Sequence, residues 1–335
     1  MTEQEEAPVA KPLLEVSDLT VEFRTARGWG VAVDGVGLEL RPGRTLAVLG
    51  ESGSGKSAAA RAIMGVLPAG SGRVSRGQVV LHGRDLLRLK AEERRAVRGA
   101  QVGMVFQDAL SALNPVLSVG YQIGEGCRVH LGMSRRAARR RAVELLELVG
   151  IPDARRRADD YPHQFSGGMR QRVMIATALA ADPEVLIADE PTTALDVTVQ
   201  AQILLLLAKL QADRQMSLML ITHDMGVVAG MADDILVMYA GRVVEQGPAD
   251  EVFDRPAHPY TRALLDSICT ADQKGKPLRV ISGQPPDLGN LPSGCPFRTR
   301  CPQTVELCRT RPPVTQVSPG HFGACHFAGQ VPGGM

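Results

Sequence analysis

The sequence contains no apolar run long enough to cross a bilayer as a helix, which takes ~20 residues. The nearest candidate, residues 203–207, is soon interrupted by Lys209 and has a helical pattern. The first residues are acidic and lack the basic start and apolar core of a signal peptide. We therefore expect residues 1–12 to form a flexible tail and the protein to be made and kept in the cytoplasm.

A strong excess of charge is also missing. The 335 residues include 38 lysines and arginines against 36 aspartates and glutamates, a net charge of +2 at pH 7. Such a balance argues against a protein whose main partner is nucleic acid. The hydrophobic fraction of 44% is typical of a globular protein, and the length allows one large domain and a smaller one.

Cysteine is sparse and unevenly placed. Two cysteines are isolated, and four crowd the last 41 residues: Cys295, Cys301, Cys308 and Cys325. In a chain without an export signal, such a group indicates a metal or cluster site more than disulfides. Four thiolates can bind a [4Fe–4S] cluster or tetrahedral Zn²⁺, although the C-x₂-C pairs usual for zinc are absent. Four reduced structural cysteines are the alternative.

A glycine-rich segment has the sequence of a phosphate-binding loop. It fits G-x-x-x-x-G-K-[ST] without a mismatch and consists of Gly50, Glu51, Ser52, Gly53, Ser54, Gly55, Lys56 and Ser57. The apolar run at 45–49 predicts a buried strand before it, and residues 57–66 predict a helix after it. In that setting backbone N–H groups turn toward phosphates, Lys56 reaches the β- and γ-phosphates, and the Ser57 hydroxyl ligates Mg²⁺.

Two carboxylates follow a second buried apolar strand, residues 185–188. Asp189 ends that strand and is placed to hold Mg²⁺, and Glu190 comes next. Successive side chains of an extended segment point apart, so the two carboxylates have different tasks. His223 follows a third apolar strand, and Gln107 follows a strand at 102–106. A histidine or glutamine by itself is more often structural than catalytic. Their positions directly after strands are what make His223 and Gln107 candidate site residues.

A second anion-binding device precedes the helix predicted at 170–180. Ser166, Gly167 and Gly168 supply small side chains and free N–H groups at a helix start. One γ-phosphate does not need two such devices from a single chain. The structural alternative is a helix cap with a tight turn.

In this order the motifs resemble the ATP-binding subunits of ABC transporters. The resemblance rests on the phosphate loop, Gln107, the segment 165–172 (Phe-Ser-Gly-Gly-Met-Arg-Gln-Arg), Asp189-Glu190-Pro191 and the Thr-His-Asp at 222–224. It implies an α/β fold of the P-loop NTPase, ABC type. That fold has a mixed-sheet core, a helical subdomain at about 108–180 and an N-terminal antiparallel β subdomain.

The resemblance also implies roles in ATP hydrolysis. Gln107 would contact Mg²⁺ together with Ser57 and Asp189. Glu190 would polarise the attacking water, and His223 would contact the γ-phosphate and orient that water.

For the adenine ring the family uses an aromatic side chain, which Phe23 fits best and for which Trp29 competes. Asp196 lies in residues 191–196, which resemble the D-loop of the family.

Partner subunits follow from the same resemblance. Ser166, Gly167, Gly168 and Met169 would cap the ATP held by a second ATPase, so that two ATP molecules are buried in a head-to-tail pair. Phe165 stands where leucine is usual and Met169 where glutamine is usual. This form resembles one of the two ATPase subunits of peptide importers, and the partner would then be a different, homologous ATPase.

The end of the chain indicates which branch of the ABC transporter family the sequence resembles. Residues 257–265 and 292–302 resemble the region that follows the ATPase domain in dipeptide, oligopeptide and nickel importers, and this likeness favours the [4Fe–4S] cluster over zinc. The implied domains are an ABC ATPase at 13–255 and an extension with the four cysteines at 256–335.

The implied function is ATP hydrolysis that powers import of di- and oligopeptides at the cytoplasmic face of the membrane. Two transmembrane permease subunits and an extracytoplasmic substrate-binding protein would complete the transporter. One alternative is the same machinery with nickel or another small solute as cargo. A soluble, non-transport ABC ATPase would have fused cassettes or a coiled-coil insertion, and neither is present. A binding module without turnover would need neither Glu190 nor His223.

Overall fold

The computed structural model describes residues 11–26, 28–193, 195–267, 281–287 and 291–330. Residues 1–10 of the predicted tail, Ala194 and Cys269 lie outside these ranges. The strands are β1 (Leu14–Thr25), β2 (Gly28–Leu40), β3 (Thr45–Leu49), β4 (Gly72–Leu81), β5 (Arg84–Asp85), β6 (Val102–Val105), β7 (Val185–Asp189), β8 (Ser217–Thr222), β9 (Asp234–Tyr239), β10 (Arg242–Pro248), β11 (Thr315–Ser318) and β12 (His321–Gly323).

Four strands form an antiparallel sheet with the order β2-β1-β4-β5. Residues 72–81 form one strand, β4. Its register with β1 shifts between Ser17 and Thr20, opposite Gly77. Gly77 has φ +107°, and a Cβ there would lie 2.6 Å from the Asp18 carbonyl oxygen. The glycine therefore marks an irregularity within one strand and not a turn between two.

The core sheet is mixed and has the order β11-β12-β10-β9-β3-β8-β7-β6. Strands β9, β3, β8, β7 and β6 run parallel, and every residue of β3, β7 and β8 is buried. Parallel strands that are covered on both faces have continuous apolar sequences. The three apolar runs that were predicted to be buried strands are confirmed as β3, β7 and β8. Strands β9 and β10 form an antiparallel hairpin around Gly241.

The residues after 255 extend this sheet. Strand β12 pairs with β10 through Glu245 opposite Gly323 and Gln246 opposite Phe322, and β11 pairs with β12. Strands β11 and β12 therefore share a sheet with the phosphate-loop strand β3. The division of the chain into domains at 255 stays a prediction.

The helices are α1 (Lys56–Met64), α2 (Ala91–Val97), α3 (Ala109–Ala112), α4 (Val119–Leu131), α5 (Arg135–Leu148), α6 (Ala154–Arg157), α7 (Gly167–Ala178), α8 (Val197–Arg214), α9 (Met225–Ala229), α10 (Ala249–Asp254) and α11 (Pro259–Asp266). Helices α3 to α7 lie between β6 and β7 in the chain, within the range predicted for a helical subdomain. Their buried side chains, such as Ile123, Leu145 and Ile175, share one apolar cluster. No helix in the described ranges combines the length and apolar character required to traverse a bilayer.

The strand order places the functional loops together. Strands β3, β8 and β7 are adjacent and parallel, so the loops that follow Leu49, Thr222 and Asp189 leave the same edge of the sheet. Ligands of open α/β sheets bind at the carboxyl ends of such strands.

Candidate nucleotide site

The phosphate loop joins β3 to α1 in a conformation that depends on glycine. Gly55 has φ +103°, and a Cβ there would lie 2.7 Å from the Ala32 carbonyl oxygen. Ser52 and Gly53 are exposed at the tip of the loop, whereas Ser54 is buried. The loop therefore presents backbone to solvent while its base packs against β2.

Lys56 is the buried cation of this loop. Its Nζ donates to the carbonyl oxygens of Gly50 at 2.6 Å and Glu51 at 2.9 Å, and the residue is 4% exposed. Burial lowers the pKa of Lys56, and the negative charges of Glu190, Asp189 and Glu51 oppose that shift. The ammonium group is thus held at the loop by carbonyl oxygens that phosphate oxygens can replace.

Ser57 and Asp189 meet although 132 positions separate them in the chain. The Ser57 hydroxyl donates to Asp189 Oδ1 at 2.8 Å. The Asp189 residue is 0% exposed, and its Oδ2 finds no hydrogen-bond partner among the described residues. Burial raises the pKa of Asp189, and the Ser57 hydrogen bond opposes that shift. A hydroxyl and a carboxylate with a free buried oxygen form a suitable oxygen donor set for Mg²⁺.

Glu190 is the centre of a polar group at the same edge. Its Oε2 accepts from Gln107 Nε2 at 2.8 Å and from the Thr193 hydroxyl at 3.0 Å, and its Oε1 lies 3.6 Å from His223 Nδ1. Glu190 itself has φ +47°, a left-handed conformation that is uncommon for a glutamate. The structure therefore brings together three residues that the sequence placed in three separate motifs, and it adds Thr193.

The Ser166 turn lies at the start of α7. The Ser166 hydroxyl accepts from the Met169 N–H at 3.4 Å and caps the helix, and Ser166 and Gly167 are exposed. A Cβ on Gly168 would lie 2.5 Å from Val199 Cγ1, so a glycine allows the turn to pack on α8. Asp196 caps α8, since its Oδ1 accepts from the Val199 N–H at 2.9 Å. The Ser166 turn and the predicted D-loop residue Asp196 therefore both contact Val199 at the start of α8.

The two aromatic candidates for adenine lie near the tip of the β1–β2 hairpin. Phe23 is opposite Gly30 and is partly buried against the apolar cluster of the antiparallel sheet. Trp29 is 41% exposed, and the Arg73 guanidinium lies 4.1 Å from its ring centroid. Trp29 thus offers the more accessible ring, whereas Phe23 contributes to packing.

The four cysteines near the end of the chain lie in one region. The Cys295 N–H donates to the Cys308 carbonyl oxygen at 3.0 Å, and the negative charge that the other three thiols can carry adds to the rise in the pKa of Cys301. Burial raises the pKa of Cys295 and Cys325, and it raises the pKa of Cys301 to about 11. Within the described part of the chain, no three His, Cys, Asp or Glu side chains are arranged to hold a metal ion. The arrangement thus does not support the expected [4Fe–4S] cluster or its zinc alternative.

Sequence reasoning missed two residues that contact the phosphate loop. The Tyr260 hydroxyl accepts from the Glu51 N–H at 2.8 Å, and Arg300 forms an ion pair with the Glu51 side chain. Tyr260 lies in the segment 257–265 that carried the family resemblance, but no local pattern indicates which residue it contacts. Arg300 likewise lies in the segment 292–302 of that resemblance, and its sequence neighbours do not indicate a partner in the phosphate loop.

Comparisons with known proteins agree with this geometry. The sequence profile of the ABC transporter family matches residues 33–193, and that of the oligopeptide/dipeptide transporter C-terminal region matches residues 244–308. The chain is 50% identical over 316 residues to the oligopeptide transport ATP-binding protein OppD of Salmonella typhimurium, covering 94% of each chain. It is 49% identical over 319 residues to the dipeptide transport ATP-binding protein DppD of Bacillus subtilis, covering 95% of each.

A solved structure supports the fold. The dimeric, post-hydrolysis state of the ATP-binding cassette MJ0796, bound to ADP and Pi, aligns with a TM-score of 0.63 and 28% identity. The alignment covers 70% of this chain and 98% of that cassette. The predicted ABC-type P-loop ATPase fold is confirmed. Because identity near 50% extends over almost the whole of both chains, the protein belongs to the ATP-binding subunits of the oligopeptide and dipeptide ABC transporters.

Proposed function

We propose that this chain binds ATP at the carboxyl ends of β3, β7 and β8 and that hydrolysis there drives the import of di- and oligopeptides. The chain is an ATPase subunit of a peptide importer. Two hydrogen bonds at one edge of the sheet support this site most strongly. Ser57 donates to Asp189, and Gln107 donates to Glu190. That edge therefore supplies a donor set for Mg²⁺ and a carboxylate for water.

The phosphates of ATP are proposed to lie in the loop Gly50–Ser57. Lys56 would exchange its carbonyl partners for the β- and γ-phosphate oxygens, and the first turn of α1 would direct N–H groups toward them. Ser57, Asp189 and Gln107 are the residues that would hold Mg²⁺, which neutralises charge on the phosphates when bound. Trp29 or Phe23 would stack on the adenine.

Hydrolysis needs a water molecule aligned with the γ-phosphate. Glu190 is proposed to accept a hydrogen bond from that water and to polarise it as it attacks. Gln107 and Thr193 hold one oxygen of the carboxylate, which leaves Oε1 directed to the side of His223. His223 is 63% exposed at its side chain, so it is accessible to a γ-phosphate and to the water.

A second ATPase subunit is proposed to complete the site. Ser166 and Gly167 are exposed at the start of the 12-residue helix α7, where N–H groups can bind an anion. The dimeric state of the MJ0796 cassette supports pairing with a second ATPase, and we propose that the Ser166–Met169 turn of one subunit caps the ATP of the other. We propose a homologous, different ATPase as the partner.

Membrane permease subunits are the further partners that an importer ATPase requires. We propose two of them, together with an extracytoplasmic substrate-binding protein that delivers the peptide, and we place this chain at the cytoplasmic face of the membrane. The test is ATPase activity of the whole complex in lipid vesicles. Peptide-loaded binding protein should stimulate hydrolysis, whereas stimulation by nickel alone, with no response to peptides, would contradict the peptide assignment.

Residues 256–335 are proposed to form a unit that the four cysteines stabilise around a [4Fe–4S] cluster. What supports this is the crowding of Cys295, Cys301, Cys308 and Cys325 in the sequence and the match of residues 244–308 to the oligopeptide/dipeptide transporter C-terminal region; the described side chains themselves form no metal site. The proposal predicts iron and sulfide in protein purified without oxygen, and their loss in Cys301→Ser. Anaerobic protein with neither element would contradict it.

A further inference from the structure

One residue of the phosphate loop is held through both its main chain and its side chain. The Glu51 N–H donates to the hydroxyl of Tyr260 at 2.8 Å. Arg300 binds the Glu51 carboxylate with both terminal nitrogens, Nη1 to Oε2 at 2.6 Å and Nη2 to Oε1 at 2.9 Å. Such a two-pronged pair fixes orientation as well as charge. Both partners come from the part of the chain that follows α10.

Arg300 is itself fixed in place by its surroundings. Its side chain is 3% exposed, and its Nε donates to the Ser282 carbonyl oxygen at 3.0 Å. The terminal nitrogens also donate at 3.3 Å to the Ile281 carbonyl oxygen and to the Tyr239 hydroxyl. A buried guanidinium with so many fixed partners has little freedom to move, so it can serve as a rigid anchor for the loop.

The position of Glu51 makes this anchor relevant to nucleotide binding. Glu51 follows Gly50 directly, and its carbonyl oxygen accepts from Lys56 Nζ at 2.9 Å. A carboxylate at this place that is neither neutralised nor held would repel the negative charge of a triphosphate. Arg300 cancels that charge and keeps the carboxylate on the side of the loop that faces the residues after 255.

We propose that Arg300 is a positioning residue for ATP binding: it neutralises Glu51 and, together with Tyr260, fixes the start of the phosphate loop. The residues after 255 thereby act on the nucleotide site and not only on the stability of the fold. This inference rests on the proposed function, because it requires that Gly50–Ser57 hold the phosphates of ATP. Arg300 acts through Glu51 and does not need to touch the nucleotide.

The experiment measures the affinity of the full-length chain for a fluorescent ATP analogue and the ATPase parameters of the assembled transporter. Arg300→Ala should weaken binding and raise KM for ATP about tenfold or more, while kcat at saturating ATP changes less than about threefold. That pattern indicates lost binding common to ground and transition states. Arg300→Lys keeps the charge without the fork and should recover part of the affinity.

A double replacement separates charge from packing. In Glu51→Gln with Arg300→Gln, no carboxylate remains to be neutralised, so affinity should return to within about threefold of wild type. Arg298→Ala is the matched control, since Arg298 lies two positions earlier and its Nε bonds Ser293 within the same region. It should leave ATP affinity unchanged.

The outcomes are distinguishable. Wild-type affinity in a folded Arg300→Ala protein would overturn the inference. If Arg300→Ala does not fold, Arg300→Lys decides: a loss of affinity agrees with the inference, because the two-pronged pair is gone, and wild-type affinity overturns it. Lys56→Ala reports on the proposed function separately, because ATP binding that survives this change would refute the assignment of the phosphate site itself.

Discussion

Replacing Ser57 with alanine removes the only hydrogen bond that the described residues give the Asp189 carboxylate. The bond is 2.8 Å long, Asp189 is 0% exposed, and its second oxygen already has no partner. Leaving a buried polar group unsatisfied costs about 1–3 kcal/mol. We therefore expect nucleotide-free Ser57→Ala to be less stable than wild type by about 2 kcal/mol, a factor of about 30 in the folded-to-unfolded ratio.

Equilibrium unfolding in urea, with a chelator and no nucleotide, measures this difference. Ser57→Thr is the matched control, because it keeps the hydroxyl and should lie within about 0.5 kcal/mol of wild type. A Ser57→Ala protein as stable as wild type would refute the reasoning that Asp189 depends on this hydrogen bond in the free protein.

The pH dependence provides an independent check of the same bond. Burial raises the pKa of Asp189 above its unfolded value, so its contribution to stability is fully present at acidic pH and is lost as pH rises through the folded pKa. The Ser57 hydrogen bond opposes that shift, so its removal raises the pKa further. The stability difference between Ser57→Ala and wild type should therefore grow as Asp189 ionises and should shrink in acid.

Three other changes test separate parts of the account. If the exposed Trp29 stacks on adenine, Trp29→Ala should raise KM for ATP about tenfold and Phe23→Ala should mainly reduce thermal stability; the reverse result would assign adenine to Phe23. Ser166→Asn keeps a capping side chain on α7 but adds bulk, so it should retain ATP binding and lower turnover of the assembled pair at least about tenfold; normal turnover would contradict capping across the pair. Gly120→Ala should cost about 1–3 kcal/mol, since its Cβ would lie 2.6 Å from the Ala158 carbonyl oxygen, whereas Gly230→Ala meets nothing nearer than 3.9 Å; equal stability of the two variants in urea would refute the packing argument.

The parts of the fold that sequence predicted are those determined by local pattern. Strands β3, β7 and β8 are buried along their whole length, and a continuous apolar run is the pattern that such burial requires. Helix α4 was not predicted because glycines reduce helix propensity. Its glycines serve packing: a Cβ on Gly126 would lie 2.9 Å from Ala180 Cβ. Tertiary contact therefore overrides propensity there.

The residues of the nucleotide site show the same difference between local patterns and long-range contacts. Lys56, Ser57, Asp189 and Glu190 follow from motifs a few residues long, since each motif occurs next to its own strand. The contact between Glu51 and Arg300 joins residues 249 positions apart, and no spacing rule connects them. Strands β11 and β12 were missed for a related reason: they are only four and three residues long, and they form through pairing, β12 with β10 and β11 with β12.

Uptake of a radiolabelled peptide shows whether ATP hydrolysis at Glu190 drives transport. The complete transporter is reconstituted in vesicles, with ATP on the side of this subunit and peptide-loaded binding protein on the other, and wild type is compared with Glu190→Gln. The amide preserves the shape of Glu190 and still accepts from Gln107 and Thr193, so ATP should bind with wild-type affinity. Peptide uptake should then fall at least about 100-fold, together with ATP turnover. Peptide uptake at the wild-type rate in Glu190→Gln vesicles would contradict this expectation.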